Sequence, residues 1–501
     1  MNMALWQSIP FACILLPLGS AAMTSVLKGK WARRWTFFVL IVVTTLSAVF
    51  TACMWNYGES YTYMMGHYPA PWGNEIRGGL LEAITALFFS LIMLLSLLGG
   101  VKKLDDHILH DKHSLYYVMI LLLTAALMAQ VYTNDVFTAY VFVEIMTISA
   151  CSLIDARTKG KTLVAATRYM IMNLLGSGLF LLGIILLYDL TGHLLMSNIK
   201  EAVAELHATG EYTVPLTVVV ALISIGLSIK SALFPFHTWV PDAYGYTTPT
   251  SSAILSSLVS KGYIFLLIKI MYRVIGLDVI VATGIDNVLF VFGLVGMVMG
   301  SVSAIRQNDI RRMIAFSSVA QIGYVYMGIG MGTDAGMLAA MFHIFSHAVC
   351  KAMLFLAAGG LADASDNSKK FRDLRGAGYR SPIAGVAFTI GALSMVGFPF
   401  LGGFISKLNF GTAAMEMSEI KTLLVLVTLA ISTWLNTVYF LRTVITLYRP
   451  ALPDAHYSVE KGKRGFCFSL SCVAFAAVNV ALGILSQPIV NAIAKGLSMF
   501  A

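Results

Sequence analysis

An all-α integral membrane protein is what this sequence predicts, on three observations. Hydrophobic residues fill 58% of the 501 positions and charged residues only 12%, a balance outside the soluble globular classes. The apolar residues gather into fourteen stretches, each near the roughly 20 residues that cross a bilayer as a helix. The connections left over are short, with no room for a soluble catalytic domain.

The predicted spans lie near residues 4–27, 34–56, 79–100, 114–132, 134–155, 167–189, 214–234, 250–272, 279–304, 313–331, 336–360, 383–407, 422–441 and 466–490. The first has no basic residues ahead of it and a positive cluster behind it, so it reads as an uncleaved span rather than a signal peptide. Basic residues mark the odd-numbered connections. Lys28, Lys30, Arg33 and Arg34 follow the first span; Lys102, Lys103 and Lys112 the third; Arg157, Lys159, Lys161 and Arg168 the fifth. Arg306, Arg311 and Arg312 follow the ninth, Lys369, Lys370, Arg372, Arg375 and Arg380 the eleventh, and Arg442, Arg449, Lys461, Lys463 and Arg464 the thirteenth. The even connections and the tail hold only Arg77, Lys200, Arg273, Lys421 and Lys495. The positive-inside rule then puts the odd connections in the cytoplasm and both termini outside the plasma (inner) membrane. The net charge of +9 is a topology signal, not a sign of nucleic-acid binding. Six scattered cysteines with no CxxC pair indicate neither a disulfide framework nor a metal or iron–sulfur site.

The seventh and twelfth spans are interrupted by the same tripeptide, in KSALFPF (230–236) and GFPFLGGFISK (397–407). Proline removes a backbone donor and clashes with the preceding turn. In a membrane such breaks persist only where protein or a water-filled cavity satisfies the freed groups, and paired breaks point to a transporter's ion site. Pro235 and Pro399 lie about five spans apart, and an odd number of spans inverts one unit relative to the other. This divides the chain into a three-helix segment (1–113), a first five-helix repeat (114–278), an inverted second repeat (279–445) and a C-terminal helix (446–501).

Five lysines fall inside the spans: Lys230, Lys261, Lys269, Lys351 and Lys407. Each ionisable group at bilayer depth costs roughly 2.5–3.5 kcal/mol, against a net stability of about 5–15 kcal/mol for a folded protein. Glu144, in VFVEIMTISA, is the one acid in the middle of a span, and Lys230 lies at similar depth. At about 4 Å and an effective dielectric near 20 such a pair gains on the order of 4 kcal/mol, enough to load or unload a proton as the contact is made or broken. Lys261 lies in SSAILSSLVSKGYIF, where serines every three or four residues offer a polar face. Lys269, two turns on, is placed to snorkel outward. In MFHIFSHAVCKAMLF, His343, His347 and Lys351 recur four apart and share one helix face; the HExxH glutamate of a zinc site is absent, and a proton-carrying stripe suits histidine. His237, just past the first break, is a candidate for the cytoplasmic entrance. Asp242 and the Arg306/Asp309/Arg311/Arg312 cluster read as fold anchors or subunit contacts.

These motifs together resemble one family over nearly the whole chain: the antiporter-like subunits of Mrp-type multisubunit sodium/proton antiporters, membrane-bound hydrogenases and respiratory complex I. IKSALFPFHTWVPDAYGYTTPTSSAILSSLVSK (229–261) is similar to the family's broken seventh helix, its loop and the eighth-helix lysine. VFVEIM, IRQNDIRRMIAFSSVAQIGY, HIFSHAVCKAMLFLAAG and GFPFLGGFISK follow the family pattern as well. The chain departs from it at Tyr244 and Gly245, where His and a small residue are common, and at Lys269, where arginine is frequent. The resemblance implies that Glu144 and Lys230 form a charge-switching pair and Lys261 a central relay. His343, His347 and Lys351 would lead onward, with Lys407 as the distal group. The segment GHYPAPWGNEIRGGLLEA resembles the D subunit of Mrp antiporters and its hydrogenase counterpart, and a chain ending at residue 501 lacks the long lateral helix of the largest paralogues.

The function expected is therefore proton translocation within a larger membrane complex, in the manner of the Mrp D subunit, with no cofactor of its own. A redox-driven complex, an energy-converting hydrogenase or a complex I relative, is the alternative, its redox centres lying in other subunits. Expected partners are those subunits, H+ with Na+ as a second candidate ion, and membrane lipids. A stand-alone membrane transferase or a scaffold with vestigial charges would need features or behaviour that these motifs do not suggest.

Overall fold

The computed structural model describes residues 5–65, 68, 73–451 and 465–500, so Lys461, Lys463, Arg464 and most of the stretch 66–72 lie outside the described residues. Helices account for nearly all of it. In chain order they are α1 (Ile9–Val26), α2 (Gly29–Tyr57), α3 (Leu80–His107), α4 (His113–Tyr132), α5 (Val136–Asp155), α6 (Gly160–Thr191), α7 (Met196–Thr209) and α8 (Thr213–Ser231). There follow α9 (Val240–Tyr246), α10 (Pro249–Ile275), α11 (Leu277–Thr283), α12 (Ile285–Ile305), α13 (Ile310–Gly330) and α14 (Asp334–Asp363). The chain continues through α15 (Ala377–Arg380), α16 (Pro382–Val396), α17 (Gly402–Ala414), α18 (Glu419–Leu447), α19 (Phe466–Ile484) and α20 (Ser486–Ser498).

Among the described residues thirteen helices are long and apolar enough to cross a membrane. The fourteenth expected span, near 383–407, is the exception: it is two shorter helices, α16 and α17, parted at 397–401. Both breaks end the preceding helix alike. A left-handed residue, Ala232 or Gly397, turns the chain, and the next amide (Leu233 or Phe398) returns to the carbonyl of Ser228 or Leu393, a Schellman closure. Pro235 and Pro399 follow within three residues.

The structure adds elements to the connections and corrects two expectations, the end of the last span and the placement of Lys269. The connection after α2 is not plain loop: Tyr61–Met64 (β1) pairs antiparallel with Glu75–Gly78 (β2). The polar connection after α6 holds the amphipathic α7, and the last span ends at Ile484, where α20 takes over. Lys269 does not snorkel. It is fully buried, and its ammonium donates to the carbonyls of Val131 and Thr133 at 2.7 and 2.6 Å, capping the C-terminal end of α4.

The apolar stretches of α10 and α14 are buried throughout and that of α13 nearly so, while α2, α6, α18 and α19 keep a broad exposed face. The most polar spans are thus the innermost ones. Side-chain caps fix their starts: Thr248 accepts from the Ser251 amide at α10, Asp309 from Arg311 and Arg312 at α13, and Thr333 from Gly336 at α14. Asp135 does the same for α5 through Thr138.

The charged loop cluster is a fold anchor. Asp242 on α9 pairs with Arg168 at 2.5 Å and Arg312 at 2.6 Å. Buried Arg311 donates to the carbonyls of Tyr244 and Thr247, and Lys369 to that of Gly245 at 2.8 Å. Burial and the Arg311 guanidinium press the Lys369 amine down to about 6. These contacts hold the return from the first break against α10 and α13.

A buried polar chain from α5 to α17

Helices α6 and α8 meet at glycines. A Cβ at Gly176 would lie 2.7 Å from the Gly226 carbonyl oxygen, and one at Gly226 would lie 2.8 Å from that of Gly176. This approach brings α6 and α8 to Glu144 on α5. The ammonium of Lys230 lies 3.4 Å from Glu144 Oε1 and donates to Thr147 Oγ1 at 2.9 Å. It also sits 5.4 Å from the Tyr263 ring centre. Ser177 on α6 donates to the same carboxylate oxygen, and Thr147 bonds the Tyr263 hydroxyl at 2.9 Å. Lys230 is wholly buried, whereas Glu144 keeps 24% of its side chain exposed.

Tyr263 lies two residues from Lys261 on α10. There the helix widens into one π turn over Leu255–Val259, a local geometry found often at functional sites. Lys261 Nζ donates to the Ser256 carbonyl at 2.5 Å. Ser256 Oγ bonds Ser318 Oγ on α13 at 3.0 Å, Ser318 donates to the Ile314 carbonyl, and that carbonyl accepts Lys351 Nζ from α14 at 3.2 Å. Lys351 also donates to Ser317 Oγ. Lys261 and Lys351 thus end on two backbone carbonyls, those of Ser256 and Ile314, which the Ser256 and Ser318 hydroxyls bring together.

On α14 the stripe continues. The His347 and His343 rings stack at 5.6 Å, and His343 stacks on Tyr324 at 5.4 Å. His343 Nδ1 bonds Ser406 Oγ on α17 at 2.6 Å. Lys407, the next residue, lies 5.9 Å from the Tyr324 ring centre. Its ammonium donates to the Val396 carbonyl at 2.7 Å and to Thr433 Oγ1 at 3.0 Å. Val396 is the last residue of α16, so the second break itself supplies the acceptor.

The seven residues singled out from sequence therefore fall into three clusters: Glu144 with Lys230, Lys261 with Lys351, and the histidines with Lys407. Among the described residues no hydrogen bond spans from Lys230 to Lys261, or from Lys351 to His347. Both ring nitrogens of His347 are buried without a partner, where buried polar groups ordinarily bind protein or ordered water. His237 stands apart, half-buried after the first break, stacked on Phe234 at 5.2 Å with Nδ1 buried. Sequence reading missed Thr147, Ser177, Tyr263, Ser317 and Tyr324, because hydroxyls are common in apolar spans and none of these stands out there.

A family model described as NADH:quinone oxidoreductase/Mrp antiporter, transmembrane, matches residues 133–433, the stretch that holds every residue of this chain of contacts. NADH-quinone oxidoreductase subunit N of Desulforudis audaxviator is 31% identical over 96% of this chain and 97% of its own. The A subunit of the Na(+)/H(+) antiporter of Alkalihalophilus pseudofirmus is 31% identical over 67% of this chain, which spans 43% of that longer protein. Among solved structures, a chain of the membrane-bound sulfane sulfur reductase, an archaeal respiratory membrane complex, superposes with a TM-score of 0.88 at 26% identity, covering 98% of both chains.

Proposed function

Because the chain belongs to the family of NADH:quinone oxidoreductase and Mrp antiporter membrane subunits, we propose that it moves protons along the buried chain of groups from Glu144 to Lys407. The observation that carries this reading is the Lys261–Ser256–Ser318–Ile314–Lys351 linkage. It brings two fully buried lysine amines to facing serine hydroxyls across three helices; the Ser256 and Ile314 carbonyls only accept, so protons pass between the lysines by way of the hydroxyls and bridging water. Glu144 sets the proton affinity of Lys230 through a contact that an opening of less than about 1 Å weakens. Protons enter near His237 and Lys230, and water bridges Lys230 to Lys261 and the orphaned histidine nitrogens onward. Lys407 releases them past the second break. The matching FPF breaks support two inverted units, 114–278 and 279–445, and the distribution of basic residues supports both termini outside a plasma membrane.

The protein works as one member of a larger membrane assembly. The sequence motifs favour an Mrp complex, with this chain in the place of its D subunit. A redox-driven respiratory complex is the second reading, favoured by the full-length likeness to a quinone oxidoreductase chain and to the sulfane sulfur reductase chain. Isolating the native complex and identifying its other subunits separates the two. The relay is tested in everted membrane vesicles with Glu144→Ala and Lys230→Ala. Assembled complexes should lose proton transport, and parental rates in both would refute the relay.

A further inference from the structure

We propose that Asn479, on the last membrane-crossing helix α19, is a positioning residue for Lys407: it caps, from another helix, the start of the half-helix α17 that carries the lysine. The residue before α17 is Leu401, which has no side-chain acceptor. At membrane depth the first amides of a helix must still be satisfied by protein. Asn479 Oδ1 accepts the Gly402 amide at 3.2 Å and the Ser394 hydroxyl at 3.0 Å, and Ser394 Oγ accepts the Gly403 amide at 3.2 Å. Asn479 Nδ2 donates to Cys350 Sγ at 2.8 Å, and Cys350 donates back to Ser394 at 3.2 Å. The three side chains, from α14, α16 and α19, close a ring, and all are buried.

Glycines leave the space this requires. A Cβ at Gly403 would lie 1.8 Å from the Ser394 carbonyl oxygen, and one at Gly483 would lie 2.2 Å from that of Phe400. The two ends of the break are therefore tied oppositely. The carbonyl end of α16 takes the Lys407 ammonium, and the amide end of α17 takes the asparagine oxygen, each matching the local helix dipole. Lys407 follows the cap by about one and a half turns, so displacing the cap displaces the ammonium from Val396 and Thr433. Cys350 precedes Lys351, so the ring also joins the helices of two relay lysines.

The proposal rests on Lys407 as the distal relay group, and the test separates the two. In the assembled complex, Asn479→Leu should speed amide hydrogen exchange across 401–408 about tenfold, equivalent to about 1.4 kcal/mol, and cut vesicle proton transport about as much. Asn479→Gln, which keeps both the acceptor and the donor to Cys350, should restore both to within about threefold of the parent. Unchanged exchange in Asn479→Leu overturns the proposal, as does Asn479→Gln failing as fully as Asn479→Leu. Should Asn479→Leu not assemble, Ser394→Ala removes the Gly403 half of the cap together with the hydroxyl's contacts to Asn479 and Cys350, and its exchange should rise about threefold; unchanged exchange there overturns the proposal equally. Normal transport in Lys407→Ala would sink the relay reading and leave the exchange prediction standing.

Discussion

Gly176→Ala should slow proton transport by loosening the Glu144–Lys230 ion pair. The new Cβ would meet the Gly226 carbonyl oxygen at 2.7 Å and Lys230 Cγ at 3.1 Å. Ordinary carbon–oxygen contacts begin near about 3.3 Å, so α6 and α8 must part by roughly 0.6 Å. Glu144 is bonded to α6 through Ser177, whereas Lys230 belongs to α8. The 3.4 Å separation of Lys230 and Glu144 would grow to about 4 Å, and the pair would weaken by about 0.7 kcal/mol at an effective dielectric near 20. That is roughly a threefold loss in rate if that contact gates the lysine. The extra methyl also costs about 1–3 kcal/mol in packing. Gly183→Ala is the control. Its Cβ would meet Ile223 on the same interface at 2.7 Å, two turns from Lys230, so stability should fall comparably with little change in transport per assembled complex. Initial rates in everted vesicles, normalised to complex content, and thermal melts of the purified complex supply both numbers. A destabilised Gly176→Ala that transports at the parental rate would refute the gate, and so would a Gly183→Ala with the same transport defect.

Lys269→Met should lower the melting temperature while leaving the transport rate per complex near parental, because its ammonium closes the end of α4 and lies outside the chain of contacts; a transport loss without destabilisation would place it in the relay. Lys369 should be modified by amine-specific reagents with a midpoint near pH 6, read by mass spectrometry against its neighbour Lys370. Its folded value lies below the usual 10.5, so the unfolded chain binds more protons between about pH 6 and 10.5 and the fold gains stability as pH rises through that window. Reactivity that climbs only above pH 9 would show an ordinary ammonium.

The spans, the two breaks and the buried lysines were legible in the sequence because a bilayer penalises charge and broken backbone so heavily that each exception stands out. Glu144 and Lys230 were paired by depth alone, and the structure joins them. The histidine stripe followed from four-residue spacing on one helix. Lys269 was misread because depth near a span's end does not reveal which neighbour ends there, and the carbonyls of Val131 and Thr133 belong to a helix more than 130 residues earlier. Ser256 and Ser318 were visible only as a polar face, since their meeting depends on how α10 crosses α13. Tyr324 and Asn479 gave no signal, being polar groups whose partners come from helices distant in sequence. The β1–β2 pair was hidden in a connection too short and too polar to register beside the spans.

Protons are proposed to pass through Lys261 in the middle of the bundle, a claim that Lys261→Met puts to the test. In everted vesicles holding the complex at the parental subunit composition, proton transport should fall below about a tenth of the parental rate, a barrier raised by more than about 1.4 kcal/mol. Transport at the parental rate would contradict the claim.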